Sequence, residues 1–152
     1  MTNSDSAQTW MEEAAACLKS ARSLQGQADW RGVAQQAQQC VEDATKAVIA
    51  CFGSPHWKHD SSVQLRGLLK ENSTDIQRRV GVSAYGALHD LATSAAEAAP
   101  WHGWSVYGKN PGTPQWVPPS RLCTQEVAQR LMELAEPSYE TARRFTEAWT
   151  KG

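Results

Sequence analysis

The stretch "QQCVEDATKAVIACFG", residues 38–53, decides the fold of this chain. Its small apolar residues recur at three- and four-residue steps, which is typical of one face of a helix. Glu42 and Lys46 lie inside this run, four residues apart, in the order that favours an ion pair along a helix. Asp29 precedes the pattern as an N-cap. The stretch therefore predicts a core helix over residues 29–52.

The rest of the chain shows the same helical period and no strand-like alternation of useful length. Further helices are predicted over residues 5–25, 60–70 and 74–98, and from about residue 124 to the end, with a kink or break at Pro137. Residues 100–120 hold five prolines and predict an ordered irregular loop. The fold class is all-α, an up-and-down bundle of four to five helices with a long loop rich in proline and aromatic residues before the last helix.

Bulk composition narrows the class of protein. The chain has 152 residues, enough for one domain with a core, and its formal net charge is −1, which argues against a strongly basic nucleic-acid binder. No apolar run approaches the length of a membrane span, and the start has no signal-peptide pattern. The four cysteines form no CxxC pair. We expect a reduced, cytoplasmic protein with no membrane association.

The segment "HWKHD", residues 56–60, is the first candidate site. His56, His59 and Asp60 could ligate a metal, although the spacing matches no established zinc motif. A closed site needs further ligands from elsewhere in the chain, for which the candidates are His89, Asp90 and His102. The alternative, which we favour, has Asp60 capping the next helix and His59 hydrogen-bonding the loop backbone. We therefore expect no metal ligands and no cofactor.

Two further features have a functional and a structural interpretation. Glu42 and Lys46 either line a nucleotide pocket or form a structural pair at the margin of the core. The aromatic loop either stacks a base or covers the end of the bundle or a dimer interface; it contains Trp101, Trp104, Tyr107 and Trp116, with Lys109 and Arg121 nearby. The chain has no P-loop and no Ser/His/Asp order, so no catalytic residues are predicted.

Several of these segments together resemble the HEPN domain family. Trp30 stands where the family has an aromatic residue at the start of its second helix. "AQQCVEDATKA" at residues 37–47 resembles the family's AQQAxEKAxKAL-like run. "HDSS" at residues 59–62 resembles its HDL-like or HDPS-like turn, with "LRGLL" as the leucine-rich helix after it. "WSVYG" at residues 104–108 resembles its aromatic-Tyr-Gly stretch.

The resemblance implies a single helical domain over residues 1–152 that forms homodimers. Some members of the family are paired with small nucleotidyltransferases, and the family name refers to nucleotide binding. Other members are metal-independent ribonucleases, often toxins of toxin–antitoxin pairs, with an Arg-x4-6-His motif near the start of the last helix. This chain lacks the motif: nine residues separate Arg79 from His89, and His59 precedes Arg66 in reversed order.

The sequence thus predicts a non-catalytic HEPN-type binding module for a nucleotide, RNA or a nucleotidyltransferase partner. The residues expected to bind the ligand are Lys46, His59, Asp60, Arg66 and Tyr107. Two alternatives stay open, a metal-independent ribonuclease with a divergent site and a purely structural dimer.

Overall fold

The computed structural model describes residues 2–151. The regular structure in that range is helical, apart from one isolated antiparallel bridge between Lys109 and Val117. The helices are α1 (Asn3–Gly26), α2 (Trp30–Ala50), α3 (Ser62–Glu71), α4 (Ser73–Val80), α5 (Val82–Ala98), α6 (Trp101–Tyr107), α7 (Pro119–Leu122) and α8 (Gln125–Lys151).

Helix α2 is the centre of the fold. It packs against α1, α8, α5, α6 and α3, and every residue from 40 to 50 is buried. The Asp29 side chain accepts a hydrogen bond from the Gly32 N–H at 3.0 Å, which confirms the predicted N-cap. The predicted core helix is confirmed, although it ends at Ala50, two residues before the predicted boundary.

The predicted all-α up-and-down bundle is confirmed. The four long helices α1, α2, α5 and α8 form it, and their buried side chains make one continuous core. The shorter helices lie in the connections, where α3 packs on α5 and α6 packs on α2. No helix within residues 2–151 has the length and apolar character that crossing a membrane requires.

Three local predictions need correction. The predicted helix over residues 74–98 is interrupted at Gly81, whose φ of 93° is incompatible with a continuing helix. The predicted irregular loop contains the helices α6 and α7. Of the predicted kink or break at Pro137, the break does not occur, because α8 runs through that residue, and the kink stays a prediction. Proline removes one helical hydrogen bond, and the buried residues on both sides, Ala135 and Ser138, hold the helix on the core.

Candidate ligand-binding site on the central helix

Glu42 and Lys46 form an ion pair inside the bundle instead of at its margin. The Lys46 ammonium lies 3.1 Å from Glu42 Oε2, and the two side chains are only 6% and 5% exposed. The ammonium also lies over the indole ring of Trp10 on α1, 5.2 Å from the ring centroid. A buried pair of this kind has lost its hydration, so its partners must replace the hydrogen bonds to water.

The carboxylate of Glu42 has these partners. Oε1 accepts a hydrogen bond from Gln38 Nε2 at 3.1 Å and lies 3.3 Å from His59 Nδ1. Oε2 accepts from Lys46 and, at 3.4 Å, from Gln39 Nε2. Three of these four residues come from α2 itself, so the helix fixes the carboxylate, whereas His59 reaches it from another segment.

The segment before α3 positions His59. Its residues are tied to α3: the His56 N–H donates to Gln64 Oε1 at 2.8 Å, and Gln64 Nε2 donates to the Ser54 carbonyl. Asp60 Oδ1 accepts from the Ser62 N–H at 3.0 Å, but the N-cap of α3 is Ser61, so Asp60 binds the first helical N–H from one residue upstream of the predicted cap position. His59 does not bind the loop backbone as predicted, because its ring lies next to the buried carboxylate of Glu42.

Helix α6 brings a second imidazole, that of His102, to the same place. Arg31 Nε and Gln35 Nε2 on α2 donate to the Ser105 carbonyl at 2.9 and 3.1 Å. These bonds satisfy a carbonyl at the C-terminal end of α6, where the helix itself provides no partner. With α6 held there, the His102 ring stacks on the His59 ring, with ring centroids 3.5 Å apart and an angle of 15° between the planes.

We name Glu42, Lys46, His59 and His102 the histidine–carboxylate cluster. Burial lowers the pKa of His102, and the nearby His59 and Lys46 lower it further, while Glu42 acts in the opposite direction. The cluster is closed on its α2 side and open on the side of His59, whose side chain is 61% exposed. A ligand can therefore reach the two imidazoles from solvent without moving a helix.

A second polar group lies next to the cluster on α2. Asp43 is buried, accepts a hydrogen bond from Gln39 Nε2 at 2.8 Å, and faces Cys17 Sγ at 3.7 Å. Burial raises the pKa of Asp43 to about 6. Burial and the neighbouring Asp43 raise the pKa of Cys17 to about 12, so this thiol is protonated and a poor nucleophile at neutral pH.

The structure brings together two of the five residues predicted to bind a ligand, Lys46 and His59. Asp60 follows His59 and is engaged with Ser62. Arg66 is exposed on α3, and Tyr107 is 66% exposed at the end of α6. Neither is in contact with the histidine–carboxylate cluster through a hydrogen bond or an ion pair within residues 2–151.

The sequence interpretation missed His102 as a partner of His59. It was considered only as a distant metal ligand, because 42 residues separate it from His59 and no local pattern joins the two. The one available signal was its position in "WHGWSVYG", a segment with the helical period once α6 is recognised.

Most of the aromatic side chains between residues 101 and 116 contact other parts of the chain. Trp101 and Trp104 are half-buried and meet edge to face, with ring centroids 5.1 Å apart. The Lys109 ammonium lies 4.2 Å from the Trp104 ring centroid, and Trp116 Nε1 donates to the Tyr107 carbonyl at 2.9 Å. These contacts favour the interpretation in which the aromatic rings cover the bundle over the one in which they stack a base.

Three depressions mark the described surface. One of about 400 Å³ lies between α1 and α8, and a wider groove of about 670 Å³ lies between α4, α5 and α8. The smallest, of about 160 Å³, is lined by residues on both sides of His59 in the chain: His56, Lys58, Asp60, Ser61, Val63 and Gln64. No member of the histidine–carboxylate cluster lines any of the three. Pockets for drug-sized ligands measure about 300–1,000 Å³, so the smallest has room only for a phosphate-sized group.

Comparison with known proteins identifies the class. The sequence model of the HEPN domain family matches residues 7–148, nearly the whole chain. The chain therefore belongs to the HEPN domain family, a family of nucleotide-binding or ribonuclease-type modules. No curated protein and no solved structure matches the chain.

Proposed function

We propose that this chain is a non-catalytic HEPN-type binding module that takes the phosphate of a nucleotide or of RNA at the histidine–carboxylate cluster. The observation that carries the proposal is the geometry of His59. Its Nδ1 is held by the buried carboxylate of Glu42, and most of its side chain is open to solvent. In its doubly protonated form, an imidazole whose Nδ1–H is bound to a carboxylate presents Nε2–H as a hydrogen-bond donor to an anion.

The surroundings of His59 support a phosphate ligand over an enclosed base. Lys58, the residue before His59, lines the small depression, and Arg66 is exposed on the helix that follows. Asp60 also lines that depression and would repel an anion, but its Oδ1 already accepts two hydrogen bonds from Ser62. The depression has space for one phosphate, so the base and sugar would lie outside it.

Binding of a labelled single-stranded oligoribonucleotide of mixed sequence, in buffer with EDTA, tests this function. We expect saturable binding that weakens with salt, since phosphate contacts release counterions. His59→Gln should weaken it roughly tenfold, the cost of one charge-assisted hydrogen bond. The matched control is His89→Gln, because His89 is exposed on α5, outside the cluster. Equal affinity of both variants, or no binding by the unmodified chain, would refute the proposal.

A second candidate function, a metal-independent ribonuclease, has one observation in its favour. A carboxylate that orients an imidazole, as Glu42 orients His59, is the arrangement of a general base. His59 would take the proton of a ribose 2′-hydroxyl. Gel analysis of the same RNA after incubation separates the candidates: we expect intact RNA, and cleavage that disappears in His59→Gln would establish the ribonuclease instead.

We also propose, from the resemblance to the family, that the chain acts in the cytoplasm as a homodimer. Large apolar side chains are exposed at Trp57, Val63, Val82, Val106 and Trp116, and a dimer interface would bury those that share a face. Light scattering over a dilution series should give twice the chain mass. A measured mass of one chain at every concentration would contradict the homodimer and leave a small nucleotidyltransferase as the proposed partner. A stable dimer without RNA binding would favour the structural alternative.

A further inference from the structure

Three side chains of the histidine–carboxylate cluster have the composition of a metal site. Glu42 comes from α2, His59 from the segment before α3, and His102 from α6. One carboxylate oxygen and one imidazole nitrogen from each histidine all lie within 4.8 Å of one another. Imidazole nitrogen together with carboxylate oxygen is a ligand set typical of zinc and other transition metals.

We infer that Glu42, His59 and His102 bind a divalent transition-metal ion, with zinc as the expected occupant. This departs from the sequence-based expectation of no metal ligands, which considered His59 together with His56 and Asp60. It does not depend on the proposed binding of nucleotide or RNA. With three protein ligands, the fourth tetrahedral position is open to water or to an oxygen of a bound molecule.

The separations suit a small ion. Ligand atoms about 2.0–2.2 Å from a tetrahedral zinc lie roughly 3.3–3.6 Å from one another. The distance between Glu42 Oε1 and His59 Nδ1 is already 3.3 Å. One nitrogen of His102 lies within 4.8 Å of the other two ligand atoms. Rotation about side-chain torsions brings the three ligand atoms together without a shift of the backbone.

One imidazole must turn when the ion binds. A metal lies close to the plane of every imidazole that ligates it, and the two rings here are nearly parallel and stacked. Two parallel planes do not meet, so both rings cannot bind the same ion in this orientation. His59 is the side chain that can turn, because it is 61% exposed and stands on an irregular segment between α2 and α3.

The Glu42 carboxylate has hydrogen bonds of the kind that orient a metal ligand. Gln38 donates to Oε1, while Gln39 and Lys46 donate to Oε2. Such outer contacts fix the orientation of a ligand before the metal arrives. The Lys46 ammonium opposes a second cation nearby, but it lies on Oε2, whereas His59 Nδ1 lies at Oε1. The ion therefore approaches the carboxylate on the side opposite the ammonium.

Metal binding to the purified, EDTA-treated full chain tests the inference. We expect one equivalent of Co²⁺ to give the visible absorption bands of a four-coordinate site, and Zn²⁺ to displace it. His102→Asn and His59→Asn should each weaken Zn²⁺ binding by at least about 100-fold, more than the loss of an outer contact costs. Circular dichroism of each variant confirms that it is folded.

The chain provides its own controls, since it has four histidines. His56→Asn and His89→Asn keep the histidine count of the test variants and lie outside the cluster, so both should bind Zn²⁺ as the unmodified chain does. Three results would overturn the inference: no stoichiometric binding, an equal loss in the control variants, or a thiolate-to-Co²⁺ absorption band that shows ligation by cysteine. The RNA experiment is done in EDTA, so failure of either proposal is seen separately from the other.

Discussion

Two rows of charge with three- or four-residue helical spacing behave differently in this bundle. On α2, Glu42 and Lys46 are buried and meet at 3.1 Å. On α8, Glu140 meets Arg143 at 2.6 Å and Arg144 at 2.8 Å, and the side chains are 39–76% exposed. Hydrogen bonds from Arg143 and Arg144 lower the pKa of Glu140 to about 2.

The comparison teaches that short contacts do not measure the importance of an ion pair. The α8 row has the closer contacts, but water and salt screen them and the side chains keep an alternative hydration shell. The α2 pair has the longer contact, but its side chains are shielded from water. Removal of one partner therefore leaves a buried charge. The α2 pair should therefore control the stability of the fold, and the α8 row should not.

The largest effect is expected from Lys46→Met. The substitution keeps the approximate volume of the side chain and removes the ammonium paired with the buried Glu42 carboxylate, which costs about 3–5 kcal/mol. The remaining partners of Glu42 are then two glutamine amides and His59. Urea denaturation followed by circular dichroism measures the loss of unfolding free energy. The double variant Glu42→Gln/Lys46→Met should be more stable than Lys46→Met alone. If Lys46→Met were as stable as the unmodified chain, the buried pair on α2 would contribute no more to stability than the exposed pairs on α8, and the comparison would fail.

An intermediate effect is expected from Asp43, through pH. Burial raises its pKa from 3.8 to about 6, so the folded chain binds the proton more tightly than the unfolded chain does. The contribution of Asp43 to stability therefore falls as pH rises between these values, by at most about 3 kcal/mol, and is constant above and below them.

The variant Asp43→Asn isolates this effect. The difference in unfolding free energy between the variant and the unmodified chain should change between pH 4 and pH 7 in favour of the variant, as measured by urea denaturation at each pH. A difference that is independent of pH would show that Asp43 is hydrated in the folded chain, as the exposed charges on α8 are.

The smallest effect is expected from Arg143→Gln. Its contacts to Glu140 and Glu147 are exposed on α8, so the midpoint of urea denaturation should remain within error of the unmodified chain. Denaturation at low and high salt sharpens the test, because a screened interaction loses even its small contribution at high salt. A loss comparable with that of Lys46→Met would contradict the comparison.

Much of the fold could be predicted because helical periodicity is a local property. The apolar face of α2, its N-cap Asp29 and the four-residue spacing of Glu42 and Lys46 all follow from neighbouring residues. The hydrogen bond from the Ser62 N–H to Asp60 is local in the same sense, although Ser61 and not Asp60 is the N-cap. The burial of Lys46 was not predictable, because the charge alone favours an exposed position and burial depends on α1 and Trp10 packing over it.

The candidate site could be predicted only in part. Lys46 and His59 were identified from a resemblance between short segments, but their common partner Glu42 was interpreted only as the other half of an ion pair. His102 was not assigned to the site, because its approach depends on α6 forming within a segment predicted to be irregular. That helix is held on α2 by Arg31 and Gln35 through the Ser105 carbonyl, a contact with no local signature.

By itself, the sequence of this protein determined an all-α bundle of the HEPN domain family, the central helix and its polar residues. The helical periodicity and the run that resembles the family both depend on residues that are consecutive in the chain. The tertiary structure alone decided which charges are buried and which histidines meet. Those properties depend on the approach of segments that are distant in the chain, where packing and the need to satisfy a buried carboxylate select the partners.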